Sequence, residues 1–180
     1  MKKCIINGKI ILHDEIVEKN VFIDGEKIIE ISNKVPSDEE IIDAHGLYVS
    51  PGFVDVHTHG RGGSDTMYPT FDDLNTISKA TLKTGVTSFL PTTMTMPVED
   101  IKKAIENVSM NKDKVEGAQI LGVHLEGPFF NKKYKGAQPE ECMILPTIDN
   151  YLSFVGNHQE IVRKISIAPE LEHSIDFIKY

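Results

Sequence analysis

Apolar residues alternate with polar ones in short runs over the first 50 positions of the chain. Runs rich in β-branched residues, separated by turn residues, predict short strands at positions 3–7, 10–12, 15–19, 21–23 and 27–31. The dipeptides Asn7-Gly8 and Asp24-Gly25 are typical of two-residue hairpin loops, and the polar residues 35–40 predict a loop. We therefore predict that residues 1–50 form a small all-β module.

The pattern changes near position 50 to strands that alternate with helices. Residues 47–56 are largely apolar and predict a buried strand, and the four successive strands begin at positions 53, 86, 120 and 164. Thr70, with Asp73 three residues later, predicts the start of the first helix, and Pro97 predicts the first residue of the second. Further helical segments are predicted at 146–156 and 173–180.

A repeating strand–helix unit predicts parallel strands. The units have the size found in (β/α)₈ barrels, which need about 250 residues. Residues 51–180 hold four such units, so the pattern fits either a four-stranded open sheet or the first half of a barrel.

The composition excludes several classes of function. Of the 180 residues, 40% are hydrophobic and 26% are charged, and the formal net charge is −8. The chain has no basic stripe, so we expect no nucleic-acid partner, and no apolar run has the length of a membrane span. We expect a cytoplasmic protein in which Cys4 and Cys142 are free thiols.

Two histidines follow the first apolar strand of the second region, in the segment Pro51-Gly-Phe-Val-Asp-Val-His-Thr-His-Gly60. Alternate residues of a strand point to the same face, so His57 and His59 face the same way. They lie roughly 6 to 7 Å apart along the strand. Two imidazoles in this arrangement can hold a divalent metal ion between them.

A carboxylate ends the third strand, in Gly122-Val-His-Leu-Glu-Gly-Pro128. The carboxyl ends of parallel strands meet at one edge, so we expect Glu126 to lie near His57 and His59. This donor set suits Zn²⁺ or Fe²⁺. The sequence allows two positions for the side chain of His124: it faces the site, or it is hydrogen-bonded in the core.

These segments together resemble the amidohydrolase superfamily and, within it, the N-acetylglucosamine-6-phosphate deacetylases. The strand-end segments around His57 and Glu126 carry the resemblance, together with Gly85-Val-Thr-Ser-Phe-Leu-Pro-Thr92, Lys135-Gly-Ala-Gln138 and Ala168-Pro-Glu170. The resemblance implies an α/β fold: a portion of a small β-sandwich over residues 1–50, and the first four βα units of a (β/α)₈ TIM-type barrel over 51–180.

The resemblance also implies a chemistry. Family members remove the acetyl group of N-acetylglucosamine 6-phosphate in amino-sugar catabolism, using one or two divalent ions, Zn or Fe. By position, Glu126 resembles the principal metal ligand and His57 and His59 a first-strand pair that holds a second ion in some members. Gln138 and Ala137 match substrate-binding positions. The resemblance implies an amino-sugar phosphate as the small-molecule partner, and a homo-oligomer for complete members.

Two histidine ligands and the catalytic Asp of the family lie on strands five, six and eight, which have no counterpart in residues 1–180. The resemblance is therefore to the N-terminal half, with no identifiable catalytic base, and we expect the isolated chain to be inactive. Two alternatives remain: another amidohydrolase, similar to dihydroorotases, hydantoinases or adenine deaminases, and a non-catalytic metal-binding fragment.

Overall fold

The computed structural model describes all 180 residues, which divide into two compact units, Met1–Pro51 and Gly52–Tyr180. No helix has the length and apolar character needed to cross a membrane. The first unit is all β, as its alternating pattern predicts. Its strands are β1 Lys2–Ile6, β2 Lys9–Ile11, β3 Ile16–Val17, β4 Asn20–Asp24, β5 Lys27–Ser32, β6 Glu40–Asp43 and β7 Tyr48–Val49.

The strands of the first unit form two sheets, one in the order β5-β4-β1-β6 and the other in the order β3-β2-β7. The hairpin predicted at Asp24-Gly25 is confirmed, because β4 and β5 pair antiparallel and Asp24 lies opposite Lys27. The hairpin predicted at Asn7-Gly8 is wrong: β1 pairs with β4 and β6, whereas β2 pairs with β3 and β7. Asn7 does adopt a positive φ of 55°, but its turn carries the chain from one sheet to the other.

The second unit alternates strands with helices, which confirms the predicted change of pattern. Its strands are β8 Phe53–Thr58, β9 Gly60–Arg61, β10 Ser64–Asp65, β11 Val86–Pro91, β12 Gln119–Ile120, β13 Val123–Glu126 and β14 Val162–Ser166. Its helices are α1 Phe71–Leu82, α2 Val98–Asn111, α3 Ile148–Val155 and α4 Ser174–Lys179. Short 3₁₀ turns occupy Lys132–Tyr134, Glu140–Cys142 and Gln159–Ile161.

The principal strands of this unit are parallel, as predicted. One sheet has the order β12-β11-β8, and β13 pairs with β14 in another. A parallel bridge between Thr92 and His124 links the two. The single strand predicted at 120–125 is interrupted at Gly122, where φ is +148° and a Cβ would lie 2.3 Å from the Ile161 carbonyl oxygen.

The helix boundaries follow local capping chemistry. The Thr70 side chain accepts a hydrogen bond from the Asp73 backbone N–H at 3.1 Å, as the sequence predicts. Thr147 caps α3 in the same way through Asn150. Pro97 is the N-cap of α2 rather than its first residue, because its ψ of 138° is extended.

One apolar core holds the helices against the parallel strands. It includes buried side chains from α1, α2 and α3 and from the strands β11, β12 and β13, among them Ile77, Phe89, Ile105, Leu125, Phe129, Phe154 and Val155. Burial of this cluster fixes the end of β13, from which Glu126 projects.

The prediction of a buried strand over 47–56 is wrong. The segment contains β7 and the start of β8, and on β8 Phe53, Val54 and Val56 are 65%, 56% and 47% exposed. The reason is topological: β8 is an edge strand paired with β11 alone. An apolar run therefore marked a strand here without marking burial.

Candidate metal centre

The ends of two strands, β8 and β13, place three potential metal ligands together. His57 is the second-last residue of β8, His59 directly follows that strand, and Glu126 is the last residue of β13. β8 pairs in parallel with β11, and a parallel bridge joins Thr92, directly after β11, to His124 on β13. The carboxyl ends of β8 and β13 therefore lie at the same edge. The ligand atoms of the three side chains all lie within 4.8 Å of one another.

The distances within this cluster are those of hydrogen-bonded or metal-sharing groups. Glu126 Oε2 lies 2.7 Å from His59 Nε2 and 3.1 Å from His57 Nε2. The two Nε2 atoms are 3.4 Å apart. Glu126 is 19% exposed and the histidines are 43% and 35% exposed, so the cluster is open to an incoming ion.

The hydrogen bonding of His59 shows that the donor set fits a cation. His59 Nδ1 lies 3.2 Å from the Thr92 carbonyl oxygen, which can only accept, so Nδ1 carries a proton. In the neutral ring, Nε2 then presents a lone pair toward the carboxylate oxygen 2.7 Å away. Two lone pairs at this distance repel each other unless a proton or a metal ion lies between them. The residues therefore suit a divalent cation.

His124 lies in the core beside the cluster, which resolves the two alternatives left by the sequence. It is fully buried, with Nδ1 3.2 Å from the Thr92 hydroxyl and Nε2 2.9 Å from the Ser166 hydroxyl. Burial, followed by the positive charge of Lys164, lowers the pKa of His124 to about 4. A neutral ring with both nitrogens bonded is not an available ligand, and it packs edge-on against His57 with ring centroids 4.8 Å apart.

Thr92 contacts both strands that carry histidines of this region, β8 with His57 and β13 with His124. Its hydroxyl accepts a hydrogen bond from the Thr58 backbone N–H at 3.0 Å, and its carbonyl contacts His59. Thr92, directly after β11, therefore supports the end of β8 and the ring of His59. Two further supports were not foreseen: Asp55, whose carboxylate accepts the His57 backbone N–H at 3.1 Å, and Ser166. Asp55 lies within the segment 51–60 that carries the two histidines, whereas Ser166 belongs to no recognisable motif.

A cavity of about 310 Å³ adjoins the cluster, with Glu126 on its wall. Gln138 also lines it, and the side-chain oxygen Oε1 of Gln138 is buried without a hydrogen-bond partner. Ala137 is exposed and is not among the lining residues. Asn131 Nδ2 donates to Glu170 Oε1 at 2.9 Å across the same cavity, so Glu170 orders a neighbouring polar group. A polar molecule that contacts Glu126 therefore has room here.

Comparison with known proteins gives a consistent assignment. The sequence model of the amidohydrolase family matches residues 48–171, which include all three clustered side chains. An N-acetylglucosamine-6-phosphate deacetylase from Vibrio furnissii is 40% identical over 134 residues, covering 72% of this chain and 33% of the relative. An N-acetylgalactosamine-6-phosphate deacetylase from Escherichia coli O157:H7 is 34% identical over 131 residues, covering 72% and 35%.

A solved structure extends the similarity to nearly the whole chain. The N-acetylglucosamine-6-phosphate deacetylase from Pasteurella multocida superposes with a TM-score of 0.88 at 27% identity, covering 99% of this chain and 48% of that protein. The chain thus spans less than half the length of each of these relatives.

Proposed function

Because this chain belongs to the amidohydrolase family, we propose that it supplies metal ligands to a deacetylase. The proposed reaction is hydrolysis of the acetamide of N-acetylglucosamine 6-phosphate to glucosamine 6-phosphate and acetate. The observation that carries the proposal is the convergence of His57 Nε2, His59 Nε2 and Glu126 Oε2 within 4.8 Å at one strand edge.

The proposal assigns a fold to each unit. Residues 1–50 form part of a small β-sandwich, and residues 51–180 form the first four βα units of a (β/α)₈ barrel. The parallel strands and the superposition on the Pasteurella multocida protein support this assignment. In such a barrel the carboxyl ends of the strands carry the site.

The proposed ligands are His57, His59 and Glu126, and the proposed ion is Zn²⁺ or Fe²⁺, in one or two copies. When bound, such an ion polarises an amide carbonyl and lowers the pKa of a water molecule toward about 7. The chain itself orients the ligands: the Thr92 carbonyl fixes the His59 tautomer, and the Asp55 carboxylate holds the His57 backbone.

The cavity beside Glu126 is the proposed substrate position. The Gln138 amide lies on its wall, and we assign to that amide a hydrogen bond with the amino-sugar phosphate, with the exposed Ala137 as a neighbouring contact in the same loop. The buried Oε1 without a partner supports this role for Gln138, because a hydroxyl donor of a sugar would satisfy it. The two relatives act on epimeric sugars by name, so both N-acetyl-hexosamine 6-phosphates belong in any assay.

Metal binding by the purified chain tests the first element of the proposal. Added Zn²⁺ is expected to raise the unfolding temperature, because an ion that binds the folded state stabilises it by mass action. The double substitution His57→Ala/His59→Ala is expected to remove this shift. The matched substitution His13→Ala/His158→Ala, outside the cluster, should retain it. A wild-type chain without a Zn²⁺-dependent shift would contradict the proposed site.

Substrate class is tested in a hybrid that joins residues 1–180 to the remaining part of the Pasteurella multocida protein. We expect the hybrid to release acetate from N-acetylglucosamine 6-phosphate, and we expect His57→Ala/His59→Ala to lower that rate. N-acetylgalactosamine 6-phosphate and a hydantoin serve as competing substrates. A zinc-binding hybrid that opens only the cyclic amide would overturn the deacetylase assignment in favour of another amidohydrolase activity.

A further inference from the structure

The three clustered side chains come from two different sheets. His57 belongs to β8, in the sheet β12-β11-β8, and His59 follows directly, whereas Glu126 belongs to β13, which pairs with β14. The spacing of the donor atoms therefore depends on how firmly β8 is held relative to the β13–β14 pair. A metal site that is loose by 1 Å loses much of its affinity, so this spacing matters.

Lys164 makes a direct connection between these two parts. Its ammonium Nζ lies 3.4 Å from the carbonyl oxygen of Val56, which is 108 residues away in sequence and immediately precedes His57. Lys164 is half-buried on β14, opposite His124 in the strand register, and Ser166 on the same strand is opposite Glu126. The side chain thus joins the strand next to Glu126 with the residue next to His57.

Apart from the contacts of His57 and His59 with Glu126 and of the His57 ring with His124, the other connections between the sheets run through β11 rather than β8. The backbone bridge joins Thr92 to His124, and the Thr93 N–H donates to the His124 carbonyl at 3.0 Å. The strand β8 is held by β11 on one edge alone. The contact from Lys164 is the one hydrogen bond that runs from β14 directly to β8.

We propose that Lys164 is a positioning residue that holds β8 against β14 and so sets the spacing of His57 and His59 relative to Glu126. This inference rests on the proposed metal site and names a residue on which its affinity depends. Lys164 acts through the Val56 carbonyl and is not itself a ligand.

The direction in which metal affinity changes when Lys164 is substituted separates this role from a simple effect of charge. An ammonium group near a bound dication repels it, so removal of the charge alone should tighten metal binding. Loss of a positioning contact should weaken it, because support outside the ligand shell typically contributes about 10–100-fold to metal affinity.

Arg163 provides a closely matched control on the same strand. Its Nε donates to the Leu121 carbonyl oxygen at 3.3 Å, so Arg163→Met also removes one positive charge and one hydrogen bond to a backbone carbonyl. Its bond does not reach β8. Lys164→Arg keeps the charge and a donor of similar reach, and serves as the conservative rescue.

The experiment measures affinity for Co²⁺ by competition with a chromophoric chelator, together with the visible absorption spectrum of the bound ion. We expect Lys164→Met to weaken Co²⁺ binding about 10-fold and to change the spectrum, whereas Lys164→Arg and Arg163→Met should stay within about 3-fold of wild type. If Lys164→Met does not fold, as judged by urea unfolding, Lys164→Gln replaces it. Unchanged or tighter binding in Lys164→Met would overturn the inference, as would an equal loss in Arg163→Met.

Failure of the inference and failure of the proposed metal site give different results. If the wild-type chain itself binds no Co²⁺, the metal site is wrong. If the wild type binds Co²⁺ and Glu126→Gln weakens that binding while Lys164→Met does not, the site stands and the role of Lys164 is rejected.

Discussion

Substitution of Glu126 by Gln is expected to weaken Zn²⁺ binding by the chain about 100-fold or more. Glu126 is the only anionic member of the cluster, and its Oε2 is within 3.1 Å of both histidine nitrogens. Gln keeps the size and shape of the side chain but removes the negative charge. Loss of a supporting residue outside the ligand shell already costs about 10–100-fold, so loss of a ligand should cost at least as much.

Glu170 is the matched control for this prediction. It lies on the same cavity and its carboxylate accepts a hydrogen bond from Asn131 rather than from the histidines. Glu170→Gln makes the same change in charge, and we expect less than about 3-fold loss of Zn²⁺ affinity, because a carboxylate that does not touch the ion is screened by water and salt. Both variants are compared by chelator competition at one pH and ionic strength. Similar losses in the two would indicate long-range attraction instead of ligation by Glu126.

The positions of the three clustered residues followed from the sequence because two simple regularities apply to them. Strand periodicity places His57 and His59 on one face. Parallel strands bring their carboxyl ends, and so Glu126, to a common edge. Both regularities depend on local sequence and on strand order, which the repeating apolar runs reveal. The cap at Thr70 also followed from local sequence, because a threonine can accept a hydrogen bond from the backbone N–H three residues later.

Features that depend on contacts between distant segments were not predictable in this way. Asn7-Gly8 indicated a turn correctly, but the pairing of the flanking strands depends on which other strands compete for them. β1 pairs with β4 and β2 pairs with β7, so the two do not pair with each other. The apolar residues of β8 did not reveal that it is an edge strand. His124 could be placed in the core only once its two hydroxyl partners, Thr92 and Ser166, were known.

Substitution of Phe129 by Ala is expected to lower the free energy of unfolding by about 3–5 kcal/mol, the usual cost of removing a buried phenylalanine. Phe129 is completely buried three residues after Glu126, and its ring centroid lies 5.9 Å from that of Phe154 in α3 and 5.2 Å from that of Phe177 in α4. Its removal would leave a cavity between both helices and the strand end that carries the carboxylate.

Phe53 offers the control for this cavity, because it is the same residue type on β8 but is 65% exposed. Phe53→Ala is expected to cost about 1 kcal/mol or less, as surface substitutions usually do. Urea unfolding of both variants gives the comparison, with equal slopes showing that the unfolded states expose similar surface. Equal losses of stability would mean that the aromatic cluster does not hold the helices. If Phe129→Ala loses much more stability than Phe53→Ala, the packing around Phe129 stabilises the second unit and also fixes Glu126 at the strand edge.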